Sequence, residues 1–234
     1  MKYIKEIFKR KIVVTAFAII FVLILLYNSG FIYGRDNRVK VTCVGDSITY
    51  GSGVIDTRDT DAYPAQLQTK LGTSHEVSNY GLRNATASFD GDLPYVDSEE
   101  YKASLESDPD IVVLMLGTND SKTYNWNGSN YEQGLRDLVN TYKSLDSQPI
   151  VYLMRCPYCY SLDGGDVAEY DIQPVVVSDE IGAIIEDVAF DLDVDLIDLY
   201  TVTEGQDDLY TDGVHFNKAG YELIADTVEE AITK

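Results

Sequence analysis

Histidine, cysteine and tryptophan are scarce in this sequence of 234 residues, which contains two, three and one of them respectively. The two histidines are His75 and His215, so any catalytic imidazole must be one of these two side chains. Cys156 and Cys159 form a Cys-Pro-Tyr-Cys sequence, but no histidine lies near them in the chain. Two cysteines without a neighbouring histidine do not provide the ligands of a zinc site. The composition therefore argues against a structural zinc.

Basic residues are also in short supply, because 18 lysines and arginines stand against 39 aspartates and glutamates, for a net charge of −21. A field of this sign repels nucleic acid and other polyanions, so we expect no nucleic-acid partner. It is typical of the soluble surface of an acidic secreted protein. The length suffices for an N-terminal segment followed by one α/β domain of about 200 residues.

The N-terminal segment carries an apolar run from Ile12 to Tyr27 that resumes at Phe31-Ile32-Tyr33. The basic residues before the run place the N-terminus in the cytoplasm and the rest of the chain outside. Because no Ala-x-Ala cleavage pattern follows, we favour a retained single-pass membrane anchor, with secretion after signal cleavage as the alternative. The predicted division is 1–33 for the cytoplasmic tip and transmembrane helix, 34–38 for a linker, and 39–234 for the folded domain.

Beyond the linker, short apolar strands alternate with helical patterns. The predicted strands are 39–44, 75–79, 110–116, 149–154 and 194–199. The predicted helices are 62–71, 98–105, 130–145, 175–190 and 218–232, and 155–173 is a long irregular stretch. Strands that alternate with helices imply right-handed crossovers. The pattern predicts an α/β three-layer sandwich around a five-stranded parallel sheet.

Distinctive polar or glycine residues follow four of the five strands. They are Ser47 after the first strand, Gly81 after the second, Asn119 after the third, and Asp212 and His215 after the fifth. Because the carboxyl ends of parallel strands share one edge of a sheet, we expect these residues to meet there.

Ser47 is the candidate nucleophile, since it lies in a Gly-Asp-Ser turn at the end of the first strand. A serine attacks a carbonyl only when a base takes its proton, and an imidazole held by a carboxylate supplies that base best. His75 precedes the second strand and belongs to the opposite edge of the sheet, which leaves His215 as the base. Asp212, three residues earlier, is close enough to orient the ring and stabilise its cationic form.

An acyl-transfer site also needs hydrogen-bond donors aimed at the carbonyl oxygen. Gly81 has no Cβ, so its backbone N–H can approach closely. Asn119 offers a side-chain amide, and the backbone N–H of Ser47 supplies a third donor. Ser47, Gly81 and Asn119 are therefore the predicted oxyanion hole.

These residues resemble the conserved blocks of the SGNH, or GDSL-type, hydrolase family, in the same order. The matching blocks are Gly45-Asp46-Ser47-Ile48, Asn79-Tyr80-Gly81, Gly117-Thr118-Asn119-Asp120 and Asp212-Gly213-Val214-His215. The resemblance spans about residues 39–232. It implies a flavodoxin-like sheet and ester hydrolysis with neither a metal nor another cofactor, through a Ser47–His215–Asp212 triad and an acyl-enzyme.

The sequence departs from the family pattern at two places. Leu82-Arg83-Asn84 stands where the family often has another glycine, and Phe216 stands where proline is frequent after the histidine. Both departures concern the shape of the pocket more than its chemistry. The absence of a Gly-x-Ser-x-Gly sequence argues against the nucleophile-elbow hydrolases.

Two further groups of residues leave alternatives open. Tyr124 and Trp126 follow Asn119 and either stack on a sugar of the substrate or pack their own loop onto the domain. Cys156 and Cys159 match the glutaredoxin tetrapeptide, but no helix follows them to lower a thiol pKa. They form either a local disulfide or two free thiols, and Cys43 is a small core residue.

The sequence thus predicts an extracytoplasmic, membrane-anchored serine esterase that removes small acyl groups, such as acetate, from carbohydrate. The alternatives are an acyltransferase on the same fold, a non-catalytic glycan-binding module, and a thiol oxidoreductase at Cys156 and Cys159. The oligomeric state is left open.

Overall fold

The computed structural model describes residues 15–26 and 37–234, and Arg38–Lys234 form one folded unit. Residues 15–26 are helical, and most of their large apolar side chains are about half exposed. Most of the predicted membrane anchor, residues 1–33, lies outside the described residues. In the part of the chain that is described, no helix has the length and hydropathy needed to cross a bilayer, so the predicted transmembrane helix is not found there.

The centre of the folded unit is a sheet of five parallel strands. The strands are β1 Val39–Gly45, β2 His75–Gly81, β3 Ile111–Met115, β4 Ile150–Arg155 and β5 Asp195–Asp198. Their order is β2-β1-β3-β4-β5, and every neighbouring pair is parallel. This is the strand order of flavodoxin-like folds, in which ligands bind outside the carboxyl ends of the strands.

Helices connect the strands and cover both faces of the sheet. The α-helices of the folded unit are α1 Ser47–Tyr50, α2 Arg58–Asp61, α3 Tyr63–Leu71, α4 Glu99–Glu106, α5 Gly128–Lys143, α6 Gly182–Asp191, α7 Leu199–Thr203 and α8 Lys218–Ile232. A π-helical segment, Val176–Ile181, leads directly into α6. The predicted α/β architecture with a five-stranded parallel sheet is confirmed. The ends of the predicted strands and helices differ by one or two residues, except that the helix predicted over 175–190 is α-helical only from Gly182. The short helices α1, α2 and α7 are not predicted by the sequence patterns.

The side chains of β3 show why this strand has an uninterrupted apolar sequence. Val112 and Leu114 enter a core with residues of α5 and α6. Val113 and Met115 enter a second core, with residues of α3 and α8, on the other face of the sheet. Successive side chains of a strand point to opposite faces, so a strand covered on both sides must be apolar at every position.

Candidate active site

Ser47 is the first residue of α1 and lies directly beyond the carboxyl end of β1. Asp46 caps this short helix, and its Oδ1 accepts the backbone N–H of Ile48 at 2.9 Å. A side chain at Gly45 is excluded, because a Cβ there would lie 2.5 Å from the carbonyl oxygen of Met115. The turn therefore holds Ser47 at the sheet edge, where it is 8% exposed. Its own N–H is among those that the start of a helix leaves without an intrahelical acceptor.

The ring of His215 lies against the Ser47 hydroxyl. His215 Nε2 is 2.9 Å from Ser47 Oγ, and His215 Nδ1 is 2.8 Å from Asp212 Oδ2. A carboxylate can only accept, so Nδ1 carries the proton and Nε2 is left to accept from the Ser47 hydroxyl. The three side chains thus form one continuous hydrogen-bonded chain, as the sequence predicts.

Backbone groups fix the position of the Asp212 carboxylate. Its Oδ1 accepts the N–H groups of Val214 and His215, at 3.0 and 2.7 Å. Burial alone raises the pKa of Asp212, but the hydrogen bonds from the His215 ring and from the two backbone N–H groups lower it overall to about 2. Asp212 is therefore ionised at neutral pH, and a carboxylate at this position stabilises an imidazolium in the ring beside it.

Tyr170 is a further member of this cluster, and it was not among the predicted site residues. Its hydroxyl donates to Asp212 Oδ2 at 3.0 Å, and its ring meets that of His215 edge-on with centroids 5.0 Å apart. It lies in the irregular stretch 155–173, and both Tyr170 and Asp171 have a φ of +62°. Left-handed backbone at two consecutive residues that are not glycine persists only where the surroundings enforce it. No periodicity or motif marks such a residue in advance.

The predicted oxyanion hole is met in part. Ser47 and Asn119 line the pocket, but Gly81 does not. The N–H of Gly81 donates to Asn79 Oδ1 at 2.9 Å, and a Cβ at Gly81 would lie 2.2 Å from the backbone nitrogen of Tyr50. Gly81 is thus required for close packing of β2 against α1, and its assignment as a pocket donor is wrong in this structure.

Asn84 reaches the pocket where Gly81 does not. Its φ is +66°, a conformation that glycine and asparagine adopt most readily. The sequence held a signal for this, since Asn84 ends the tripeptide that stands where a second glycine is often found. Asn119 is tied to the same loop, because its Nδ2 donates to the Ala85 carbonyl at 3.2 Å.

The pocket is small, with a cavity volume of about 120 Å³. Its walls divide into a buried floor and an open mouth. The floor consists of Ser47, Thr118, Asn119, Ile172, Val214 and His215. The mouth consists of Arg83, Asn84 and Tyr170, which are exposed or partly exposed.

The two aromatic residues expected to bind substrate lie elsewhere. Trp126 packs against the buried core beside Tyr131, with ring centroids 6.0 Å apart. Tyr124 is 62% exposed and faces Lys122, and neither Tyr124 nor Trp126 lines the pocket. The structure thus favours the alternative in which the loop packs onto the domain. An indole ring can either stack on a sugar or pack against an apolar core. The sequence pattern therefore did not distinguish the two alternatives.

Cys156 and Cys159 are both free and buried, so no disulfide joins them in this structure. Both side chains belong to the core on the α5 and α6 face, and the Cys156 thiol points towards the carbonyl of Leu116. Burial raises the pKa of Cys156, and it raises that of Cys159 to about 12. A thiol held protonated in this way is a poor nucleophile. Among the described residues, no cluster of three or more histidine, cysteine or acidic side chains is arranged to hold a metal ion.

Two buried carboxyl groups lie beneath the site. Asp46 and Asp120 are fully buried, and burial raises the pKa of each to about 6. Asp120 accepts the backbone N–H groups of Ala87 and Ser88, at 3.0 and 2.8 Å. Asp46 Oδ2 has no hydrogen-bond partner within residues 37–234. The folded protein therefore disfavours the ionised form of both carboxyl groups, most of all that of Asp46.

We expect this burial to make the folded protein less stable as the pH rises from about 4 to 7. The folded-state pKa of Asp46 lies above its ordinary value. Its contribution to the free energy of unfolding is therefore fully present below pH 4 and is lost as the pH passes 6. Asp46→Asn removes the titration, keeps an oxygen for the Ile48 N–H, and should lessen the decline by on the order of 2–3 kcal/mol. Urea unfolding at several pH values measures it.

Asp56→Asn is the matched control, because Asp56 is exposed and its replacement also removes one negative charge. Lower net charge by itself reduces self-repulsion, so the control isolates the effect of burial. Equal pH dependence in the two variants would show that Asp46 ionises as freely in the folded protein as in the unfolded chain.

The chain has clear similarity to proteins of known class. The sequence model of the GDSL-like lipase/acylhydrolase family matches residues 43–223. An acetylxylan esterase of Xylanibacter ruminicola is 33% identical over 211 residues, which are 85% of this chain and 44% of that protein. The chain thus spans less than half the length of this relative.

Solved structures of low sequence identity share the fold. A carbohydrate acetylesterase family member from Sinorhizobium meliloti has a TM-score of 0.64 at 22% identity, over 83% of this chain and 97% of that one. The aryl esterase of M. smegmatis has a TM-score of 0.66 at 20% identity, over 83% and 98% of the two chains.

Proposed function

The chain belongs to the GDSL-like lipase/acylhydrolase family, and we propose that it is a serine esterase that removes small acyl groups, above all acetyl, from carbohydrate. The observation that supports this most is the hydrogen-bonded chain from Ser47 Oγ through the His215 ring to Asp212, with distances of 2.9 and 2.8 Å. This arrangement supplies a nucleophile and a base in the floor of one pocket, with an orienting carboxylate behind the base.

In the proposed first half-reaction, Ser47 Oγ attacks the ester carbonyl carbon while His215 Nε2 takes the hydroxyl proton. The resulting tetrahedral species carries a negative charge on the former carbonyl oxygen. It collapses as the carbon–oxygen bond to the sugar breaks, and His215 returns the proton to the departing alkoxide. The sugar leaves as a neutral alcohol, and the acyl group remains as an ester of Ser47.

The developing oxyanion needs donors fixed before the reaction begins. We assign this role to the Ser47 backbone N–H and the Asn119 side-chain amide, both at the pocket, and to the backbone of Asn84 in place of Gly81. The assignment is supported by the left-handed turn at Asn84 and by the hydrogen bond from Asn119 to Ala85, which together hold these groups in one rigid cluster.

Water completes the cycle. His215 Nε2 removes a proton from a water molecule as the water oxygen attacks the acyl carbon, and the second tetrahedral species releases Ser47 with its proton restored by His215. The products of one turnover are the free alcohol and a carboxylic acid.

The size of the pocket supports a small acyl group. A volume of about 120 Å³ lies well below the 300–1,000 Å³ of sites that enclose drug-sized ligands. We therefore expect acetyl esters to be cleaved with at least a tenfold higher kcat/KM than octanoyl esters of the same alcohol. Acetate release from acetylated xylo-oligosaccharides, beside a nitrophenyl ester series of rising chain length, tests both parts of the proposal. A preference for the long chains would contradict it.

Carbohydrate as the acyl carrier is supported by the acetylxylan esterase relative. We also propose that the enzyme acts outside the cytoplasm, held at the membrane by its N-terminal segment. The support is the apolar run that follows five basic residues in the sequence. Recovery of the activity in the soluble cytoplasmic fraction of the native cell would contradict this placement.

A further inference from the structure

Arg83 differs from the other basic residues that the structure describes. Across residues 37–234, the other lysines and arginines form an ion pair or donate to a backbone carbonyl. Arg83 does neither, although it belongs to a chain with more than twice as many acidic as basic residues. Acidic residues are therefore not in short supply. Arg83 lacks an ion pair because of where it lies, at the mouth of the pocket.

The backbone that presents Arg83 is tightly held. Leu82 N–H donates to the Gly45 carbonyl at 2.9 Å, and Ala85 N–H donates back to the Leu82 carbonyl at 3.1 Å, which closes a four-residue turn. Arg83 and Asn84 are the two central residues of this turn, with Asn84 in the left-handed conformation. Because Gly45 immediately precedes Asp46 and Ser47, the turn is fixed to the segment that carries the nucleophile. The backbone turn that carries Arg83 is therefore held in place next to the segment that bears Ser47.

Arg83 stands on the side of the pocket where the alcohol portion of an ester must lie. In the proposed reaction the acyl group occupies the small buried floor, which leaves the sugar at the mouth, where Arg83, Asn84 and Tyr170 are exposed. A guanidinium offers paired N–H donors in the geometry that a carboxylate accepts. Among the described residues that line the pocket, Arg83 is the only lysine or arginine. One such cation matches a single negative charge, and the net charge of −21 opposes the approach of densely charged polymers.

We propose that Arg83 forms an anion subsite for the alcohol portion of the substrate, so that the preferred substrate is an acyl ester of a sugar that bears one carboxylate close to the ester, as an acylated uronic acid does. The inference rests on the proposed esterase function and adds a substrate class to it. On this proposal, a strongly acidic protein attracts an acidic sugar at one position only, the mouth of the pocket.

The experiment compares two acetylated sugars, an acetylglucose and the acetylglucuronate with the acetyl group at the same position, which differ only at the sixth carbon. The measured quantity is the ratio of their kcat/KM values with the full chain in detergent at pH 7. We expect wild type to prefer the glucuronate at least tenfold, Arg83→Ala to reduce that ratio to about one or below, and Arg83→Lys to retain part of it. Lys102→Ala is the matched control, since Lys102 is an exposed cation outside the pocket, and it should leave the ratio at the wild-type value.

The outcomes separate this inference from the function on which it rests. Equal cleavage of the two sugars by wild type, or an unchanged preference in Arg83→Ala, overturns the anion subsite while the esterase stands. A stronger preference for the acetylated sugar 6-phosphate over the glucuronate overturns the carboxylate as the recognised group. Absence of any Ser47-dependent cleavage of 4-nitrophenyl acetate overturns the esterase itself.

Discussion

We expect Ser47→Ala to lower kcat/KM for 4-nitrophenyl acetate by about 10⁴-fold or more, because it removes the only atom assigned to bond the acyl group. The Ser47 hydroxyl is hydrogen-bonded to His215 Nε2 at 2.9 Å and is almost fully buried. Alanine fits both the start of α1 and the space that the serine fills. The fold should therefore survive, and circular dichroism should be unchanged.

Ser74→Ala is the control for this experiment. Ser74 is exposed and immediately precedes β2, at the amino-terminal edge of the sheet, so its replacement removes a hydroxyl far from the pocket. A fluorophosphonate probe should add to wild type and to Ser74→Ala but not to Ser47→Ala, as read by intact mass. Turnover by Ser47→Ala at the wild-type rate would reject the covalent mechanism through Ser47. Absence of both turnover and labelling in wild type would favour the non-catalytic glycan-binding alternative.

Asp212→Asn is expected to lower kcat/KM by about 10³–10⁴-fold while leaving the loop folded. The asparagine oxygen can still accept the backbone N–H groups of Val214 and His215. Its amide nitrogen, however, replaces the oxygen that now accepts from His215 Nδ1 at 2.8 Å. An amide donor opposite Nδ1 favours the tautomer in which Nε2 carries the proton, and His215 then has no lone pair directed at Ser47.

Tyr170→Phe provides the graded comparison at the same carboxylate. It removes only the hydroxyl that donates to Asp212 Oδ2 at 3.0 Å and keeps the ring against His215. One net hydrogen bond corresponds to about 0.5–1.5 kcal/mol, so a two- to tenfold loss of kcat/KM is expected. An Asp212→Asn enzyme no slower than Tyr170→Phe would show that the carboxylate does not set the tautomer of the base.

The family assignment and the layer structure followed from local patterns. The uninterrupted apolar run in β3 identified a strand covered on both faces, and the match of the GDSL-like family model to residues 43–223 confirms the resemblance drawn from the four sequence blocks. The catalytic roles of Ser47, Asp212 and His215 remain predictions, but the side chains do meet as the topology requires. Each of the three follows a strand, and parallel strands bring such positions to one edge whatever the loops do.

Sequence reasoning failed, or left alternatives open, where a residue's role depends on the path of a loop. Gly81 was assigned to the oxyanion hole because it ends β2, yet the chain turns three residues later, so that Asn84 reaches the pocket and Gly81 packs under α1. For Trp126 the sequence leaves sugar binding and packing of its own loop open, and in the structure it packs on the core. Composition and spacing predict neither outcome, since both depend on contacts between segments distant in the chain.

The sequence by itself determined the fold class, because hydrophobic periodicity reflects local, repeating interactions. It also determined the family and the three side chains of the hydrogen-bonded chain, through four sequence blocks that resemble those of the family. Only the tertiary structure decided what surrounds them: Tyr170 on the Asp212 carboxylate, Asn84 in place of Gly81, and Arg83 unpaired at the mouth. These residues lie on turns and irregular backbone, whose course is set by long-range packing and hydrogen bonds rather than by the preferences of the residues themselves.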